Sequence, residues 1–435
     1  MSAVLAATDA LPARPLIDAA FLHDPYPAYA ALREAGPLHW SDEFFGGAWL
    51  LTRHADVEAV LRDVARFSAQ RTGGWVNNAA AGGEMKGFQS LFARAMLFLD
   101  APDHSRVRRV LNAGFAPSTV RALAPRIEAL TKTLLDAVDA EAGFDFMASV
   151  ARPLPAQVIA GLMGIDAEHQ ADFSAWSDDL AAFIGAPQPG PELARRAKAS
   201  LLAMSDHFEA LLPRRRRAPG DDLVSRLVQA EAEGQIQAGA ELLAQCAMLL
   251  FAGHETTRNL LGNGLHALLM QREAWLRLQQ EPALWPGAAR ELLRYDSPVQ
   301  YTGRRVAADL VLHGQRLRRG DLVVALIGAA NRDPRRHDDP DALQIARPRT
   351  GMLSFGHGPH VCIGAALSLM EAEIVWRQVA RRWPGLRIDT PAPRWNGNPV
   401  YRGLLDLPLR NATAWASIDQ RSKAAGSSRT SAGAS

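Results

Sequence analysis

The sequence predicts a mainly α protein with a small β-rich part, and three observations carry that expectation. Apolar residues recur at helical spacing through most of the chain. One short patch, Val299 to Val324, reads instead as strand-like runs split by Gly314 and Gly320. The stretch Ser354 to Ala365, "SFGHGPHVCIGA", leads straight into a long amphipathic run. No internal repeat and no linker divides the chain. One large unit is therefore expected over 21–412, between a flexible start over 1–20 and a disordered tail over 413–435. From Arg421 the tail, "RSKAAGSSRTSAGAS", is small, polar and free of aromatic residues, too poor in apolar surface to order itself.

"DPYPAYAALREAG" opens on an Asp-Pro signal and stops at Gly36, a helix with both ends marked. "LHWSDEFFGGAWLLTR" reads as a hairpin turning at Gly46-Gly47, and "HADVEAVLRD" returns to helical spacing. From Gln70 to Met96 the pattern dissolves into glycine, asparagine and alanine, a long loop of the kind that often carries function. Helical patterns resume at Ala101 and run, with proline-marked breaks, to about Glu281. Within them "PRRRRAPGDD" from Pro213 reads as a solvated interhelical loop. After Cys362, "IGAALSLMEAEIVWRQVARRW" is an amphipathic helix ended by Pro384-Gly385.

Composition narrows the function classes. The chain has 435 residues, 48% hydrophobic and 22% charged, with net charge +2. Nothing there asks for nucleic acid. Lysine stands only at Lys86, Lys132, Lys198 and Lys423, so the basic residues are nearly all arginine. Its 2 cysteines sit in unlike surroundings and make no disulfide framework, which points to a reducing, cytoplasmic setting. The start, "MSAVLAATDALPARPL", lacks the charged region and long apolar run of a signal peptide. No apolar run reaches the roughly 18 residues of a membrane-spanning helix.

Cys362 stands among Gly356, Gly358, Gly364, His357 and His360. A thiol at a helix start feels the positive end of the dipole, which lowers its pKa. The glycines permit tight turns and a close approach to a flat ligand. Zinc could use His357, His360 and Cys362, but no fourth ligand stands in paired spacing. A nucleophile would need a positioned base, and His360 is only two residues away. An axial haem ligand needs no more than one thiolate. An inert buried thiol is the bland alternative, and it suits Cys246 in "ELLAQCAMLLF" better than Cys362.

"FGHGPHVCIG" (Phe355 to Gly364) matches Phe-Gly-x-Gly-x-His-x-Cys-x-Gly at every fixed position and so resembles the haem-binding signature of the cytochrome P450 family. That resemblance implies a fold with haem b between a long distal helix and the helix after the cysteine loop. It implies Cys362 as the thiolate on iron, Phe355 near the sulfur, His360 on a haem propionate, and Gly364 in the same cofactor-binding loop. A thiolate ligand pushes electron density onto iron and favours O–O cleavage. Pro359 fills an unconstrained position, and Met352 replaces a histidine often found there; neither touches the chemistry.

Distant segments agree. "LLFAGHETTRNLL" (Leu249 to Leu261) lacks the second histidine of a zincin, since position 258 is Arg258. Ala252, Gly253, Glu255 and Thr256 instead resemble the family's oxygen-activating segment, an acid and an alcohol that deliver protons into a dry pocket. Gly253 would leave room for oxygen. "ELLR" pairs Glu291 with Arg294 and resembles the family's Glu-x-x-Arg, with Arg347 in "QIARPRTGMLSFG" as its third member, a structural brace for the loop. His104 and Arg108, four apart in "LDAPDHSRVRRVLNAGF", resemble a propionate-binding pair, as does Arg304 in "TGRRVAADLVLHG", where Arg305 leaves a one-residue ambiguity. Arg106, Arg109 and Arg319 read as surface charges.

The resemblance, from Asp24 to about Arg410, implies a monooxygenase that puts one oxygen of O2 into a hydrophobic small molecule. Separate redox proteins, a ferredoxin and its reductase, would supply electrons, steered by cationic surface near Arg108 and Arg109. Substrate contacts are expected from Trp75, Phe88 and Phe92, the Gly185 to Pro191 turn, Leu249, Ala252, Val299 and Gln300. A peroxide-using relative, a non-catalytic haem-thiolate sensor and a haem-free cysteine hydrolase are the alternatives. Glu255-Thr256 argues against the first two.

Overall fold

The computed structural model describes residues 15–71, 91–186, 189–348, 351–389 and 393–411. The start 1–14, the tail 413–435 and most of the glycine-rich loop, with Trp75 and Phe88, lie outside the described residues.

The architecture is helical around one long member. Helix Ala240–Met270 is buried on nearly every side, the burial expected of a helix that is apolar almost all round. Helix Ala365–Arg382 crosses it closely. The Trp376 indole donates to the Leu261 carbonyl at 3.1 Å, and a Cβ on Gly264 would come within 2.2 Å of the same ring. Glycine is needed there because no side chain fits between the two helices. The "PRRRR" run differs from expectation: Pro213 to Arg217 form the last turn of helix Pro191–Arg217. Arg215 and Arg216 pair with Asp222 and Glu231, which gives the arginine-rich turn partners across the following chain. Arg106 also differs from a surface charge, since it pairs with the buried Glu241 at 2.7 Å. No described helix is long and apolar enough to cross a membrane.

Among the described residues ten strands form the β part: β1 (Leu38–Ser41), β2 (Ala48–Leu51), β3 (Phe67–Ser68), β4 (Phe144–Asp145), β5 (Thr302–Val306), β6 (Leu310–Leu312), β7 (Gln315–Leu317), β8 (Leu322–Ala325), β9 (Leu386–Ile388) and β10 (Pro408–Asn411). The main sheet runs β1-β2-β8-β5-β3, with β1–β2 the hairpin turned at positive-φ Gly46 and Gly47. Strand alternation separates the doubled arginine of β5. Arg304 points into the protein and is 4% exposed, whereas Arg305 turns out to the Gly320 carbonyl at 2.8 Å.

A buried ionic cluster fixes the segment ahead of the cysteine loop. Arg294 grips both Glu291 oxygens at 2.8 Å, and Arg347 adds a third bond to Glu291 Oε1 at 3.0 Å. Both guanidiniums also donate to carbonyls of Asn331, Asp338, Asp339, Pro340 and Ala342, pinning that turn. Asn331 carries the connection onward through bonds to Ser354 Oγ and the Leu353 N–H. Burial alone would raise the Glu291 carboxyl, but Arg294, the Gln344 N–H and Arg347 hold it below the usual carboxylate range.

Removing one partner of such a cluster leaves a buried charge unanswered. Glu291→Gln is expected to cost about 3–5 kcal/mol near neutral pH, read from denaturant midpoints. Because the folded-state value is depressed, the carboxylate's contribution is present above its ordinary value of 4.5 and lost as pH falls through the lowered one. The gap between the two proteins should therefore narrow in acid, and equal midpoints at neutral pH would refute the brace.

Candidate active site

A cavity of about 330 Å³ lies between the long helix, the cysteine loop and β5. The loop owes its path to Gly356 and Gly358, at φ 73° and 72°, values that side chains disfavour. A Cβ on Gly358 would also come within 2.8 Å of the Arg62 backbone, so this glycine serves packing against helix His54–Arg62. The Cys362 N–H donates to the Phe355 carbonyl at 2.8 Å, closing the loop. Both residues line the cavity, as do His360 and Gly364, and the exposed surface of Cys362 faces that space.

The thiol's ionisation differs from the sequence expectation. Helix Ala365–Arg382 begins three residues later, and enclosure by the cavity walls pushes the Cys362 thiol up. The Gly364 N–H and the Arg108 charge pull the other way without overcoming it. A metal ion that coordinates a thiol deprotonates it outright. Cys246 is buried inside the long helix, and desolvation drives its thiol far up.

Basic groups gather at one wall. His104 and His360 stack with ring centroids 3.9 Å apart, and Arg108 and Arg304 line the cavity beside them. Burial, then the charges of Arg304, His104, Arg71 and Arg108, pull His360 down to about 3, and burial followed by Arg108 lowers His104. Both rings are neutral at physiological pH. Burial pulls Arg304 down to about 10, and among the described residues neither its Nε nor His104 Nε2 has a hydrogen-bond partner. Asp100 attracts Arg304 and His104, but its oxygens are already taken by Ser68 Oγ and the Ala69 N–H. Unanswered buried nitrogens beside a thiol-bearing, glycine-rich loop fit the carboxylates and the iron of the haem that the resemblance implies.

The long helix supplies the facing wall. Ala252 and Thr256 lie one turn apart and line the cavity, and Thr256 Oγ1 donates to the Ala252 carbonyl at 3.1 Å. Gly253 also lines it, yet a Cβ there would meet Ile159 at 2.9 Å, so helix packing uses that gap. Glu255 turns away behind this wall. It is 2% exposed, 2.5 Å from Arg258 Nη2, and accepts from Asn259 at 3.0 Å. Arg258 continues to Asp178 at 2.6 Å, which also pairs with Arg152 nearer the surface. Burial pushes the Glu255 carboxyl up against the pull of Arg258. His254, packed beside them, is pulled down to about 4 by burial and then by Arg258.

Leu249 and Val299 line the cavity, and so does Ile184, next to the expected Gly185 turn. Phe92 packs on Phe98 with centroids 5.1 Å apart, and Phe98 is the ring that reaches the cavity. Gln300 donates instead to the Ser297 carbonyl at 2.7 Å.

Sequence reasoning missed Arg71 and Glu371, both on the lining. Neither belongs to a motif; Glu371 is one acid in "MEAEIV", where helical phase relative to Leu367 was the available signal. Burial pushes its carboxyl up to about 8, and Oε2 has no partner among the described residues.

Known proteins resemble this chain over nearly its whole length. A model of the family described as Cytochrome P450 matches residues 192–383. Cytochrome P450 107B1 of Saccharopolyspora erythraea is 38% identical over 400 residues, spanning 90% of this chain and 96% of that protein. Cytochrome P450 monooxygenase PikC of Streptomyces venezuelae is 36% identical over 90% of this chain and 92% of its own. The solved structure of the Bacillus subtilis bacillaene polyketide synthase cytochrome P450 PksS superposes with a TM-score of 0.82 at 33% identity, covering 92% of this chain and 100% of that one. The chain thus belongs to the cytochrome P450 family, monooxygenases that carry haem b through a cysteine thiolate.

Proposed function

We propose that this monooxygenase oxidises a hydrophobic small molecule, by hydroxylation or a related insertion, in cytoplasmic secondary metabolism. The carrying observation is that one apolar cavity joins Cys362, the basic wall and Thr256. Similarity to PksS, the cytochrome P450 of a bacillaene polyketide synthase, favours a polyketide-like substrate.

Each site residue has a distinct task in this reading. Cys362 holds the iron. His104, Arg108, Arg304 and His360 hold the propionates, while Phe355 and Gly364 shape the loop around the sulfur. Glu291, Arg294 and Arg347 brace that loop from behind. When bound, the haem supplies the activation of O2 by reducing equivalents.

The protein's own contribution is proton supply and exclusion of water. Ala252, Gly253, Leu249 and Val299 form a wall with few polar atoms. Thr256 lines the cavity and donates its hydroxyl hydrogen to the Ala252 carbonyl, which leaves its oxygen free to accept a hydrogen bond from a proton donor there. Glu255, favoured in its protonated form by burial, is the adjacent reservoir. Arg258 and Asn259 steady its carboxylate once the proton leaves, and Asp178 links that cluster towards solvent. Arg258 stays charged throughout and orients rather than donates.

Electrons come from a separate ferredoxin and its reductase, with the exposed Arg109 among the cations available to an acidic partner.

Two substitutions test this reading. Cys362→Ser is expected to abolish the characteristic Soret band of the reduced carbonyl complex, and an unchanged band would remove the thiolate assignment. Thr256→Ala should leave spectra nearly intact while diverting reducing equivalents to peroxide, with product formation falling by about 10²-fold or more. Unaltered product per NAD(P)H in that variant would show that the proton route runs elsewhere.

A further inference from the structure

Arg71 is a cavity cation that the reading above leaves without a task. It follows β3 and lies against β5, where a Cβ on Gly303 would come within 3.1 Å of its Cδ. Its Cζ stands 4.7 Å from the centroid of Phe98, and among the described residues Nη1 donates only to the Ala69 carbonyl, at 3.5 Å. Among the described residues its electrostatic neighbours are Arg304, which repels it, and Tyr401. Glu371 is the one carboxyl among the described lining residues, and burial keeps it protonated at neutral pH.

A guanidinium drawn out of water without an anion is costly, and burial pulls Arg71 down to about 9, still charged at neutral pH. Its planar fork matches a carboxylate in two parallel bonds, and the low dielectric of apolar walls strengthens them. The Phe98 ring below the guanidinium adds a cation–π contact that holds the side chain at this wall. Arg304 and Arg108 already supply a cation for each propionate, so a third guanidinium is in surplus. It lines the same cavity as Leu97, Phe98, Val299 and Tyr401, surfaces suited to the apolar body of an organic acid.

We propose that Arg71 is a carboxylate-binding residue of this cavity, taking the acid group of an apolar substrate. The proposal rests on the haem-monooxygenase reading and deepens it by naming a ligand chemistry.

The test uses purified holoprotein as wild type, Arg71→Gln and Arg71→Lys. Dodecanoate and 4-phenylbutanoate are each titrated against the matching alcohol by Soret shift, and haem transfer to apomyoglobin is timed on the same preparations. A substrate acid predicts that Arg71→Gln loses about tenfold or more in acid affinity, with alcohols and haem transfer unchanged and partial recovery in Arg71→Lys. Several-fold faster haem transfer in Arg71→Gln, with acids and alcohols affected alike, would put Arg71 on a propionate instead and overturn the proposal. If Arg71→Gln matches wild type in both measurements, the proposal is overturned, while a thiolate-type Soret band in all variants shows that the monooxygenase reading survives. Absence of that band from the wild type overturns both.

Discussion

Two guanidinium groups share one buried carboxylate at Glu291, and the position of the cysteine loop depends on them. The loop itself is glycine-rich and held by a few backbone bonds, so it cannot set its own place. Arg294 and Arg347 convert a helix position into fixed carbonyls along 331–342, and Asn331 passes that constraint to Leu353 and Ser354. A thiol that must meet a metal within a few tenths of an ångström needs this kind of support. The second fixed surface, the long helix, is tied to the helix after the loop by Trp376 seated at Gly264. Both walls of the cavity are thus referenced to the same helical frame.

Burial decides which groups in this frame carry charge. It neutralises His104 and His360, keeps Glu371 protonated at neutral pH and raises Glu255, yet leaves the three lining arginines charged. The cavity is therefore cationic although the whole chain carries only +2. Net charge over the sequence averages away a field that matters only where solvent is excluded.

How much of this was legible depended on whether the constraint is local. The cysteine loop was readable because its turns demand glycine at fixed offsets from the thiol, and the hairpin at Gly46-Gly47 for the same reason. The helices at Tyr26–Ala35 and Ala365–Arg382 announced themselves through apolar period and flanking Pro or Gly. Direction was not readable. Glu255 and Thr256 are neighbours in sequence, but a helix turns each residue about 100° from the last, so one lines the cavity and the other faces Arg258. Arg71, Asn331 and Glu371 acquire meaning only from elements far away in the chain. Arg106 looked like surface until Glu241, distant in sequence, came beside it. The Cys362 thiol rises because enclosure outweighs backbone dipoles, a balance set by walls that no local pattern encodes.

The same enclosure links cofactor binding to folding. Among the described residues Arg304 has a buried Nε without a partner, His104 Nε2 is likewise unanswered, and Arg71 lies beside Arg304 rather than an acid. Each is a desolvation cost that the fold carries alone. A ligand that brings carboxylates to these atoms binds the folded state and has no comparable site in the unfolded chain, so its binding free energy adds to stability. Strain at the basic wall and affinity for an anionic cofactor are therefore two views of one arrangement. Residues that look unfavourable in isolation are the ones that make the cavity selective for a carboxylate-bearing partner.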